Sequence, residues 1–236
     1  GSLLGMIREG KAPNKDWLAG IRAVIGDETL DPAYRALMLG LPSQSDLARA
    51  LSEAGDTPDP DIIYAATEAT RAAMADAFAD LLPTLYRRHT VDAPFEPNAK
   101  QAGKRALSNA ALSLLTRNDD GVLAQEQYDA ADNMTQQLSA LANLVRAGRG
   151  NKAVEAFEAQ WKADRLVMDK WFGLQVMEAS PENIRECLDV RLVLDQERAR
   201  RRISQGNLEG LDALRRRHEI MRDEVRTGPA ASLPPK

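Results

Sequence analysis

Apolar residues recur along this chain at helical spacing, in blocks separated by short polar or Gly/Pro-rich breaks. The clearest block runs from Tyr128 to Val176. Met134, Leu138, Leu141 and Val145 stand at i, i+4, i+7 and i+11, which predicts one apolar stripe on a helix. Asn133 precedes the stripe as an N-cap, Gln136 follows three residues on as in a capping box, and Gly148 and Gly150 end it. A second helix starts at Asn151, with Val154, Phe157 and Trp161 on one face. A third begins near Asp164 and aligns Val167, Trp171 and Leu174 beside Met168 and Phe172. Amphipathic helices with short connections bury their stripes only on one another. Met134, Leu138, Leu141, Trp161, Trp171 and Phe172 are therefore the predicted structural core of this region.

Upstream the pattern is weaker but of one kind. Residues 1–14 read as a linker or fraying helix. Trp17, Ile21, Val24 and Ile25 predict a short helix ended by Gly26, and Asp31-Pro32 opens another that leads to Tyr34, Leu37 and Met38. Ser43 and Ser45 each suit a cap for the helix of Leu47, Ala50 and Leu51, and Gly55 to Pro60 is a turn. A long helical pattern runs from Asp61 to Arg88. Ile63, Ala66, Met74, Phe78, Leu82 and Leu85 lie near one face, with Thr70 as its polar member. Pro83 lacks the N–H a helix interior needs and predicts a kink or break. His89, next to Arg87 and Arg88, reads as solvated. Asp92 to Pro97 is a loop, Ala99 to Leu115 a helix, and Asn118-Asp119-Asp120-Gly121 a turn.

After Glu178 the sequence becomes charge-dense, with Arg200-Arg201-Arg202 and Arg215-Arg216-Arg217 among nearly as many acids. Leu188, Leu192, Ala199 and Ile203, then Leu211, Leu214, Met221 and Val225, predict a helical hairpin arm over 179–227. The Pro-rich residues 228–236 read as a disordered tail. The chain thus divides into an edge at 1–14, a helical domain at 15–178, the arm and the tail.

Composition narrows the function. Of 236 residues 5% are aromatic, and strand-forming runs are scarce, which favours an all-α fold. A net charge of −4 offers no general attraction to nucleic acid or an anionic membrane surface. The lone Cys187 excludes an intramolecular disulfide and suits a reducing cytoplasm. No run has the roughly 18–20 apolar residues of a membrane span. A chain that opens on Gly1 rather than Met is expected to be a fragment or to carry a tag, and the change of character after 178 is expected to mark a fusion, a frameshift or a truncation.

Candidate chemistry is thin. A zinc peptidase needs two histidines one helical turn apart, a glutamate beside the first and a further ligand. His218-Glu219-Ile220-Met221-Arg222 comes nearest, but a guanidinium stands where the second histidine belongs and cannot ligate zinc. Two distant histidines and one cysteine make no supported nucleophilic pair, and no Gly-rich phosphate loop is present. The reading is of no catalytic residue, no metal ligand and no cofactor in this chain.

Ala131-Asp132-Asn133-Met134-Thr135 and Leu166-Val167-Met168-Asp169-Lys170-Trp171-Phe172 resemble the C-terminal helical domain of bacterial aminopeptidase N, a zinc alanyl aminopeptidase. Leu30-Asp31-Pro32, Leu41-Pro42-Ser43 and Leu107-Ser108-Asn109-Ala110-Ala111-Leu112 match in the same order, so the resemblance covers residues 20–177. It implies an all-α, superhelical, armadillo-like stack of helix pairs that packs over a separate zinc-bearing catalytic domain. The implied partner is that catalytic domain, with peptides bound only in the intact enzyme. The family's Asn-Pro-Asn-Arg motif and its Gly-Ala-Met-Glu-Asn type amine site are missing, and the tail after 178 does not match. Asp132, Asn133 and Asp169 are the candidates for facing a substrate channel, although helix capping also accounts for the first two. From another class, a free-standing α-helical interaction module that associates through an exposed face or the arm fits the same residues.

Overall fold

The computed structural model describes residues 3–10 and 13–177, and among them no strand occurs. The helices are α1 (Leu3–Glu9), α2 (Lys15–Gly26), α3 (Pro32–Leu39), α4 (Gln44–Glu53), α5 (Pro60–Ala77), α6 (Leu82–His89), α7 (Ala99–Asp119), α8 (Val122–Ala130), α9 (Met134–Arg146), α10 (Asn151–Trp161) and α11 (Arg165–Met177). The arm, the tail, Cys187 and His218 lie outside the described residues. No described helix is long and apolar enough to cross a membrane. The chain splits into two compact units, Gly1–Gly150 and Asn151–Lys236.

Local chemistry sets the helix ends. Asn14, Asp31, Ser43, Asp59, Asn98 and Asn133 each accept a backbone N–H in the following first turn, which satisfies amides that have no partner inside the helix. The end of α9 is a Schellman motif: Gly148 N–H donates to the Val145 carbonyl at 3.0 Å and Arg149 N–H to the Leu144 carbonyl at 2.9 Å. Gly148 supplies the left-handed φ of +69° on which that motif depends. Gly150 answers to space instead. A Cβ there would stand 2.7 Å from Val145 Cγ2 and 2.9 Å from Val145 Cα.

The main core of the first unit joins α2, α3, α5, α6 and α7 around Ile25, Met74, Phe78, Leu82, Leu107 and Ala111, all fully buried. A smaller core gathers Ile7, Leu47, Leu51 and Ile63 from α1, α4 and α5. Residues 3–9 are therefore a docked helix rather than a linker, because Met6 and Ile7 bury their side chains and Arg8 pairs with Asp56 at 2.7 Å.

The long 61–88 pattern resolves into two helices. The break lies at Phe78–Leu81, a turn before Pro83, so the proline falls in the first turn of α6, where no N–H is required. Phe78 is fully buried at the break, and its carbonyl accepts from Leu81 and Leu82, both at 2.9 Å. Thr67 and Thr70 are buried on α5 without cost in unpaired groups, since each hydroxyl donates to the carbonyl four residues back at 2.7 Å. The loop before α7 is pinned by Arg105, which donates to Gln101 and to the Glu96 carbonyl and lies 4.5 Å from the Phe95 ring centroid. In the second unit α10 packs on α11 through Phe157, Val167, Trp171 and Leu174.

Candidate functional site

The stretch that carries the family-like motifs builds a polar seam where α7, α8 and α9 meet. The stripe expected on α9 lies at its margin: Leu141 is buried, whereas Met134, Leu138 and Val145 are half-buried. The buried face is turned toward Gln137, Ala140, Leu141 and Leu144, with Gln136 and Asn143 beside them. Polar groups can occupy that face because they find partners there. Gln127 of α8 donates through Nε2 to Asn109 Oδ1 at 3.1 Å and to the Gln136 carbonyl at 3.0 Å. Arg146 donates to Ser113 Oγ at 2.9 Å and to Asn143 Oδ1 at 3.0 Å. Gln127 Oε1 is left without a hydrogen bond although the residue is 6% exposed. These hydrogen bonds tie α7, α8 and α9 to one another.

Asp132 and Asn133 open this seam, and helix capping engages Asn133 fully. Its Oδ1 accepts from Gln136 N at 3.1 Å, while its Nδ2 donates to Asp132 Oδ1 at 2.8 Å and to Gln136 Oε1. Gln136 thus reaches the side-chain amide of the cap, a variant of the capping box. Asp132 is exposed. Asp169 is half-buried on α11 and belongs to the second unit, so the first unit does not gather all three channel candidates.

The aromatics of the second unit hold its helix pair. Trp171 is 8% exposed and its indole N–H donates to the Val154 carbonyl at 3.0 Å, which satisfies the polar edge of a buried ring. Phe172 meets it edge-on at 4.8 Å between centroids, and Phe157 lies 6.2 Å from Trp161. Phe157 is fully buried; Trp161 and Phe172 are half-buried.

A second charged locus, which the sequence pattern did not single out, lies where α2, α3, α6 and α7 come together. Arg35 is 3% exposed, and its Nε and Nη2 both donate to the Ile25 carbonyl, at 2.9 and 2.6 Å. That carbonyl belongs to the last turn of α2, where a cation also meets the negative end of the helix dipole. The available signal was Arg35 at i−4 from Leu39, on the stripe α3 buries. His89 is half-buried rather than solvated, and its Nδ1 lies 2.8 Å from the Leu85 carbonyl. Burial holds its pKa below the ordinary value; the Leu85 bond opposes this, and the charges of Arg35, Lys104 and Arg88 add to it. On α5, burial pushes the Glu68 carboxyl up, but Arg71 at 2.6 Å and Arg117 at 2.9 Å together outweigh it and hold the group below its usual value.

Among the described residues no three His, Cys, Asp or Glu side chains come together as metal ligands. They do not fit a zinc site, and no step of zinc chemistry is assigned to them.

Comparison with known proteins agrees with the motifs. Residues 2–191 match a domain family described as "Domain of unknown function (DUF3458_C) ARM repeats". The match begins inside the segment read as an edge and runs past residue 178. Aminopeptidase N of Caulobacter vibrioides is 34% identical over 71% of this chain and 19% of its own length. The Escherichia coli aminopeptidase N is 35% identical over 65% of this chain and 18% of its own. The chain therefore spans about a fifth of the length of these curated relatives. The crystal structure of Legionella pneumophila aminopeptidase A in complex with aspartic acid superposes with a TM-score of 0.67 at 24% identity. It covers 79% of this chain and 23% of that one, a likeness of fold.

Proposed function

Because the chain belongs to the DUF3458_C family of ARM-repeat domains and is homologous to the C-terminal helical domain of aminopeptidase N, we propose that it serves as the non-catalytic lid of such an enzyme. In this reading it packs over a zinc-bearing catalytic domain and restricts entry to small peptides, and that domain removes the N-terminal residues. The carrying observation is the extended match to about one fifth of aminopeptidase N at 34% identity.

The surface assigned to the catalytic partner is the outer face of α3. Tyr34 is 48% exposed and Leu37 74% exposed, three residues apart on one face. Large apolar side chains grouped on one exposed face are a feature of interfaces. The opposite face of α3 is already committed, since Arg35 and Leu39 are buried there.

The test is a chimera of the Caulobacter enzyme in which residues 2–191 of this chain replace the matching segment. It is measured against the same enzyme with that segment deleted. Expected are restored hydrolysis of an alanyl anilide and exclusion of long peptides relative to short ones. Equal behaviour of chimera and deletion, or zinc-dependent turnover by this chain alone, overturns the reading.

A further inference from the structure

We propose that Asp120-Gly121 is a site of isoaspartate formation, held closed in the folded chain by Arg149. The proposal is independent of the lid reading above. Ring closure needs a side-chain carboxyl one carbon from the backbone, followed by a backbone nitrogen that no side chain crowds. Asp-Gly meets both conditions, and it occurs once in the sequence, where no Asn-Gly is found.

The reaction needs no reagent but water. Gly121 N attacks Asp120 Cγ and gives up its proton; a C–N bond forms, a C–O bond breaks, and the carboxyl oxygen leaves as water. A second water then opens the five-membered imide at either carbonyl. One opening restores aspartate. The other leaves the chain running through the side-chain carboxyl, with one more carbon in the backbone. The protonated carboxyl is the reactive form, because an ionised one would have to expel oxide.

The fold opposes each requirement. Both Asp120 oxygens accept from Arg149, Oδ1 from Nε at 3.0 Å and Oδ2 from Nη2. That hydrogen bonding, then the charge of Arg149, holds the carboxyl below its ordinary pKa and so keeps it ionised. Gly121 N–H donates to Asp119 Oδ1 at 3.0 Å, and Leu123 N–H to Asp119 Oδ2 at 3.0 Å, which ties the attacking nitrogen to the start of α8. The backbone is also turned the wrong way. At the Asp120 ψ of 29° the Gly121 nitrogen lies across the Cα–C bond from Cβ, whereas the imide needs the two eclipsed. Gly121 is packed as well, since a Cβ there would stand 3.4 Å from Leu144 Cδ2 and 3.7 Å from Arg149 Cγ. Ring closure therefore waits on a local opening that lifts the turn from α9 and releases Arg149.

The experiment ages the full chain in heavy-oxygen water at neutral pH, folded and in urea, and maps peptides by mass. Each passage through the imide inserts one solvent oxygen at residue 120, even where aspartate is restored. A protein-isoaspartate methyltransferase with a labelled methyl donor scores the isomerised product separately. The wild type is expected to react about tenfold or more faster in urea than when folded. Arg149→Gln is expected to speed the folded reaction about threefold, the scale of an exposed ion pair, and to leave the rate in urea unchanged. Asp119→Ala, which frees the Gly121 N–H, is expected to speed the folded reaction likewise. Arg117→Gln removes a different ion pair of α7, with Glu68, and is expected to match the wild type. No label at residue 120 in urea, or a folded wild type as fast as the unfolded chain, overturns the proposal. So does a folded Arg149→Gln no faster than wild type, or an equal acceleration by Arg117→Gln.

Discussion

Single residues in this protein are best judged by what their polar edges touch. Trp171 is both a large buried ring and a donor to Val154, so Trp171→Ala removes packing and a hydrogen bond between α11 and α10 at once. Chemical denaturation is expected to show a loss of about 3–5 kcal/mol; a loss below about 0.5 kcal/mol would place the ring at a surface. His89 gives a pH signature with a definite sign. Its folded pKa lies below the unfolded value of 6.5, chiefly through burial, so the unfolded chain takes the proton first. Stability is therefore expected to fall as pH drops below that value, and to stop falling once the folded pKa is passed. His89→Gln should flatten the stability profile across the window, while the carboxylates with lowered pKa, Glu68 and Asp120 among them, lose their contribution only below their ordinary values of 4.5 and 3.8. A profile unaltered by His89→Gln would show the imidazole to be solvated.

At the scale of the element, α9 shows how ends and faces are decided by different forces. Its start rests on the Asn133 side chain, and Asn133→Ala is expected to cost about 1 kcal/mol in equilibrium unfolding. Its end rests on Gly148 and on the tight approach of Gly150 to Val145. Beyond that end, Arg149 donates to Asp120, whose φ of 56° and that of Gly121, 84°, make the turn between α7 and α8. One substitution separates capping from channel roles: if Asn133 served a substrate instead of the helix, Asn133→Ala would leave stability unchanged and alter the chimera's peptide preference.

For the whole molecule, the outer face of α3 sets the expectation. Expressed alone, the chain should self-associate through Tyr34 and Leu37, and Leu37→Glu should return it to monomer in sedimentation equilibrium. Deletion of residues 178–236 distinguishes this face from the arm expected from the sequence: association that survives the deletion belongs to the helical face, and association lost with it belongs to the arm. A chain that stays monomeric at high concentration with and without those residues would sink both versions.

Helix type, helix ends and turns were legible in the sequence because they depend on neighbours in the chain. Asp31-Pro32 and Asn133 each act within a few residues and appear in the structure as read, whereas α7 runs on through Asn118 and Asp119, so the turn read over 118–121 is confined to Asp120-Gly121. The family was legible for a similar reason, since its motifs survive in order. Which face each helix buries was decided only by tertiary structure. On α9 the polar partners Asn109, Ser113 and Gln127 turned the buried face away from Met134 and Leu138. On α3 the open carbonyl of α2 drew Arg35 inward and left Leu37 outside. Helical periodicity defines a stripe but leaves its rotation free by a residue or two, and neighbouring helices settle that rotation through the surface they cover and the hydrogen-bond partners they supply.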